Sequence, residues 1–117
     1  MLSFEGKRIC LACGITDMRK AINGLAARVD GEFNLDAYGP SVFVFCNRHR
    51  DRLKILEWDG DGFWLYFKRL EKGKFRWPTD EEPTMGLAPE ELMLLLKSPG
   101  VIQKVLRKEI KAGAVLR

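Results

Sequence analysis

Residues 53–70 read Leu53-Lys54-Ile55-Leu56-Glu57-Trp58-Asp59-Gly60-Asp61-Gly62-Phe63-Trp64-Leu65-Tyr66-Phe67-Lys68-Arg69-Leu70. Two apolar and aromatic runs flank a pair of Asp-Gly dipeptides, a strong short-range hairpin signal because type I′ turns need φ > 0. The reading is two antiparallel strands, 53–58 and 63–70. Centring the turn on Gly60-Asp61 pairs Trp58 with Phe63, Leu56 with Leu65, Lys54 with Phe67 and Arg52 with Arg69. Directly opposite residues share a face. That face runs from an aromatic end at the turn to a basic end at Arg52 and Arg69, while Ile55, Trp64 and Tyr66 fall on the other.

Upstream, Ser41–Cys46 is a buried strand by its Val and Phe content, and Arg8–Ala12 a shorter one. Between them Met18, Ile22, Leu25 and Val29 recur at helical spacing, predicting an amphipathic helix capped by Thr16 or Asp17 and ending near Gly31. Residues 34–40 form a turn-rich loop. Downstream, Glu71-Lys72-Gly73 is a second tight turn, with Gly73 in a left-handed position, leading into a short strand over 74–77. The fold class is α+β: one amphipathic helix packed on a mostly antiparallel sheet of four or five strands, the first two strands joined by a helical crossover.

The chain divides into a core domain, 1–77, a Pro-rich acidic linker, 78–88, and an appended C-terminal helical segment, 89–117. Pro89 suits the first position of a helix over 89–97. Ser98-Pro99 then restarts a helix that carries Val101, Ile102, Val105, Leu106 and Ile110 on one face. Such a stripe is expected to fold back onto the sheet or, failing that, to make a homo-oligomer.

Charge is concentrated. The chain carries a formal +4, and residues 47–77 account for all of it with nine Lys/Arg against five Asp/Glu. Seven of the 12 aromatic residues lie in the same segment. Cations interleaved with aromatics can neutralise phosphates and stack on bases. Arg48, Arg50, Arg52 and Lys54 alternate, and Lys68, Arg69, Lys74 and Arg76 extend the strip, so these eight are the candidate DNA-binding residues. Trp64, Tyr66 and Trp77 are the alternative: aromatic anchors for a protein partner.

Other chemistries fit less well. Cys10, Cys13, Cys46 and His49 have the composition of a Cys₃His zinc site, but side chains three apart on an extended strand point to opposite faces. Asp59 and Asp61 suggest a calcium loop, yet the position that needs a bidentate Glu is Leu70. Asp17, Asp36, Asp51, Asp59 and Asp61 each have a local task, His49 is the only histidine, and no glycine-rich phosphate loop is present. The expectation is a non-enzyme with no metal and no cofactor.

The run from Asn47 to Lys54, the block Trp58-Asp59-Gly60-Asp61-Gly62-Phe63-Trp64-Leu65 and the block Lys68-Arg69-Leu70-Glu71-Lys72-Gly73-Lys74-Phe75-Arg76-Trp77-Pro78 resemble TnpB, the small accessory protein of a bacterial insertion-sequence family. This is the companion of a large transposase, distinct from the RNA-guided nuclease of the same name. Leu11-Ala12-Cys13-Gly14-Ile15-Thr16-Asp17-Met18-Arg19-Lys20 and Val42-Phe43-Val44-Phe45-Cys46 resemble it too, so the likeness spans roughly residues 8–78. The resemblance implies a role in DNA transposition, with a cognate transposase and transposon-end DNA as partners.

Length and composition agree with this. At 117 residues, 46% hydrophobic and 31% charged, the chain suits one soluble globular domain. No run approaches the ~20 apolar residues of a membrane span. Three cysteines without a secretory signal point to free thiols in the cytoplasm.

Overall fold

A computed structural model of the chain describes residues 4–79 and 82–97. The element order is β1 (Arg8–Ala12), α1 (Ile22–Gly31), β2 (Ser41–Cys46), β3 (Arg52–Trp58), β4 (Phe63–Arg69), β5 (Thr84–Leu87) and α2 (Pro89–Lys97). The strands form one five-stranded sheet in the order β4-β3-β2-β1-β5. Only β1 and β2 are parallel, joined through α1; every other pair is antiparallel. The fold class is the α+β arrangement expected.

The hairpin has the register read from its turn, with Trp58 opposite Phe63, Leu56 opposite Leu65, Lys54 opposite Phe67 and Arg52 opposite Arg69. The turn differs in detail. Gly60 has φ 108°, while Asp61 does not take a positive φ, which is the sign pattern of type II′ rather than I′. Asp59 makes this possible: its Oδ1 accepts from the Asp61 and Gly62 N–H groups, and its Oδ2 accepts from the Trp64 indole at 2.6 Å.

Alternation sorts the core onto two faces. Cys10, Ala12, Phe43, Phe45 and Leu56 meet Leu25 and Val29 of α1. Ile9, Leu11, Val42, Val44, Leu53 and Ile55 meet Leu92, Leu95 and Leu96 of α2. The sheet is thus sandwiched between helices, and α2 is part of the core rather than an appendage. Pro89 opens α2, and the Ala88 N–H donates to the Glu91 carboxylate at 2.7 Å, half of a capping box.

Three local expectations are corrected. Helix α1 starts at Ile22, not near Met18, and no side chain caps it. The carbonyls of Met18 and Lys20, which a longer helix would use, accept instead from the Lys54 ammonium at 2.8 and 2.9 Å. Asp17 is taken up in a local turn, accepting from the Arg19 N–H and guanidinium. Residues 74–77 are irregular, not a strand. The Phe75 N–H reaches the Arg50 carbonyl at 2.7 Å, and the Phe75 side chain is fully buried.

The segment read as a linker contributes β5, which covers the outer edge of β1 from Ile9 opposite Leu87 to Ala12 opposite Thr84. Its prolines cannot donate, but their carbonyls accept: Pro83 from Cys13 N–H and Pro78 from Gly14 N–H, both at 2.9 Å. The turn at Gly73 adopts the expected left-handed conformation, φ 75°. Among the described residues no helix is long and apolar enough to cross a membrane. The expected helix from Ser98 onward lies outside the described residues.

Candidate nucleic-acid interface

The carboxyl ends of β1, β2 and β4 and the start of β3 lie at one end of the sheet, because β1 and β2 run in parallel and β3 reverses between β2 and β4. Three loops gather there: 13–21, 47–51 and 70–79. Backbone hydrogen bonds stitch them together. Thr16 N–H donates to the Cys46 carbonyl at 2.8 Å, and Leu70 N–H donates to the Asp51 carbonyl at 2.7 Å.

Loop 47–51 is built on Asn47. Its Oδ1 accepts from the Asp51 and Arg52 N–H groups, both at 3.0 Å, and its Nδ2 donates to the Asp51 carboxylate at 2.7 Å. That hydrogen bond, aided by the nearby Arg52, holds the Asp51 carboxyl below the usual carboxylate range. The tip of the loop is left to Arg48, His49 and Arg50, all exposed. Arg50 sits at φ 59°, a left-handed conformation uncommon for a long side chain and one that costs about 1 kcal/mol or more.

The eight candidate cations fall into three groups. Arg48, Arg50, Lys74 and Arg76 are exposed, and among the described residues none is paired with a carboxylate. The Phe75–Arg50 bond places the 74–76 segment against the loop tip, so these four share a rim. Arg52 and Arg69 are cross-strand partners, each drawn to a local acid: Arg52 to Asp51 at 3.6 Å and Arg69 to Glu71 at 2.9 Å. Lys54 and Lys68 have structural tasks. Lys54 pins the 18–20 turn to the sheet, and the Lys68 ammonium donates to the Leu96 carbonyl at the end of α2. Their expected phosphate contacts do not fit these roles.

The aromatic candidates also divide. Trp77 is only 6% exposed, and its indole donates to the Ala12 carbonyl at 2.9 Å; it is a core residue, not a surface anchor. Trp64 is 56% exposed and stacks on Tyr66 with ring centroids 6.2 Å apart. Tyr66 is half-buried, and its hydroxyl donates to Glu57 at 2.8 Å. Desolvation, then that carboxylate, pushes its phenol up to about 12.

The zinc quartet does not converge. Cys10 faces α1, Cys13 and Cys46 face α2, and His49 is at the exposed loop tip. Burial pushes the Cys10 and Cys46 thiols up to about 12, so they stay protonated. No group of three or more His, Cys, Asp or Glu side chains suited to a metal exists among the described residues.

Two residues join the site that the charge pattern did not single out. Arg19, in the loop after β1, lines an open depression of about 690 Å³ with Asp17, Met18, Arg52, Leu65 and Phe67. Phe67 is 56% exposed despite its place in the hairpin. The signal for Arg19 was positional, since loops at the carboxyl ends of parallel strands commonly bind ligands. Phe67 lies within the antiparallel edge strand β4, and its exposure follows from that edge position.

A family model described as IS66 Orf2 like protein matches residues 7–105. The chain is 40% identical over 92 residues to the uncharacterized protein y4jC of Sinorhizobium fredii (strain NBRC 101917 / NGR234), covering 79% of each chain. It is 37% identical over 94 residues to y4hO of the same strain, also uncharacterized, covering 80% of this chain and 82% of the relative. No solved structure matches. The family match runs well past residue 78, where the likeness read from the sequence stops, and takes in β5 and α2. With the basic rim, the hairpin and both flanking helices inside one continuous match, the chain belongs to the IS66 Orf2-like family, the accessory proteins of IS66 insertion sequences.

Proposed function

We propose that this transposition accessory protein is non-catalytic and contacts transposon-end DNA through the rim formed by Arg48, Arg50, Lys74 and Arg76, with Arg52 and Arg69 beside it. The observation that carries the reading is that these four exposed cations lie together, and none is neutralised by a carboxylate among the described residues. Left-handed Arg50 adds weight, because a strained backbone retained under a charged side chain suggests a task for that side chain. Phosphate contacts of this kind position a protein on DNA and carry little sequence information themselves. The cognate transposase is the expected protein partner.

A fluorescence-anisotropy titration on transposon-end DNA tests the proposal. With four phosphates engaged, log affinity is expected to fall with log salt at a slope of about −3 to −4. Replacing Arg48 and Arg50 together by Ala should remove about two units of that slope. Affinity unchanged in the double variant sinks this reading.

Trp64 favours a second reading, recruitment of the transposase without DNA contact. It is a largely exposed tryptophan on an edge strand, stacked on a tyrosine. Exposed aromatics of this kind are common binding anchors. A pull-down of the transposase that survives nuclease treatment and is lost in Trp64→Ala supports recruitment; a complex that disappears with the DNA counts against it.

A further inference from the structure

We propose that the depression beside the rim binds an unpaired nucleobase, with Phe67 as the stacking platform, so that the DNA this protein takes is single-stranded or frayed at the transposon end. The inference rests on the DNA reading above and narrows it to a substrate class.

The depression is prebuilt. Its wall, the turn over residues 18–20, is fixed to β3 by the two hydrogen bonds from Lys54, and Asp17 is clamped by the Arg19 guanidinium at 2.7 Å. The Asp17 carboxyl is held at about 2 by those bonds, so the clamp stays ionised. Leu65 and Met18 supply apolar lining, and the volume, about 690 Å³, falls within the range of small-ligand sites. Phe67 is 56% exposed there, with the Lys54 ammonium 5.9 Å from its ring centroid.

Charge complementarity selects the occupant. On the face that carries Phe67, the next cross-strand pair is Arg52 and Arg69, and loop 47–51 continues directly from Arg52 to Arg50 and Arg48. Arg52 and Arg69 are drawn to Asp51 and Glu71, so a phosphodiester can follow Arg50 and Arg48 while its base lies over an exposed ring. Bases in a duplex are already stacked on their neighbours and cannot offer a π-face to a side chain, whereas an unpaired base can. A phenylalanine set in a concavity among arginines suits the second case.

Anisotropy titrations of the full chain at low salt, on one transposon-end sequence as a single strand and as a blunt duplex, test this. The ratio of single-strand to duplex affinity is the readout. Wild type is expected to favour the single strand by about tenfold or more, as one or two stacked bases provide. Phe67→Ala should weaken single-strand binding by about 5- to 150-fold and collapse the preference, while Phe67→Trp should restore it. The double replacement of Arg48 and Arg50 by Ala should weaken both forms and keep the ratio. Equal affinity of wild type for the two forms, or a ratio unmoved by Phe67→Ala, overturns the stacking site and leaves duplex binding by the rim intact. Failure to bind either form overturns both proposals.

Discussion

Phe45 and Phe67 flank the same residue. Phe45 of β2 is opposite Lys54 on one side, and Phe67 of β4 is opposite Lys54 on the other. Phe45 is fully buried beneath α1, while Phe67 is 56% exposed. Side-chain chemistry is identical, so the difference is position: β2 is central, with both faces covered, and β4 is an edge strand at the open margin of the sheet. Lys54 stands at the boundary, its stem in the sheet and its ammonium spent on two backbone carbonyls. A phenylalanine at the centre holds the fold; one at the edge is available for work.

The largest break in that comparison is expected from Phe45→Ala, which should cost about 3–5 kcal/mol in a urea melt through lost burial and a residual cavity. Lys54→Met should follow at about 1–3 kcal/mol, because it leaves the Met18 and Lys20 carbonyls without their donor. If Lys54→Met is as mild as a surface change, the boundary role assigned to that lysine is wrong.

A smaller effect is expected at the other side of the hairpin. The raised Tyr66 phenol favours its neutral form in the folded state, so its contribution is complete below the ordinary phenol value of about 10. It is lost as pH rises through about 12. Wild type should therefore lose more stability than Tyr66→Phe across that alkaline window in paired denaturant melts. The smallest change belongs to Phe67→Ala, expected to stay within about 0.5 kcal/mol of wild type. A larger loss would make Phe67 a structural residue after all.

The hairpin was legible because two independent constraints agree, a turn at Gly60-Asp61 and strict alternation away from it. Its register followed down to Arg52 opposite Arg69. Strand β5 was not legible. Thr84-Met85-Gly86-Leu87 is four residues between prolines, and its identity as a strand comes from pairing with β1, far away in sequence. Without a partner such a segment has the composition of a linker. The roles of Lys54 and Lys68 were hidden for a similar reason. Their acceptors are carbonyls 34–36 and 28 residues away, and every residue type offers a carbonyl, so sequence carries no mark of them. Arg48 and Arg50 were legible as exposed cations, because an alternating basic run is left in water whether it is extended or forms a turn between strands.

Three cysteines buried in the sheet and its adjoining loop have a practical consequence for such measurements. Alkylation needs a thiolate and access, and Cys10 and Cys46, held near 12, provide neither at neutral pH. Cys13 is shielded by its burial. A single new thiol at the loop tip, His49→Cys, should therefore accept a maleimide dye on an otherwise native chain. The reporter would then sit between Arg48 and Arg50, and the protein could be labelled at its proposed point of contact without first being stripped of its own sulfur.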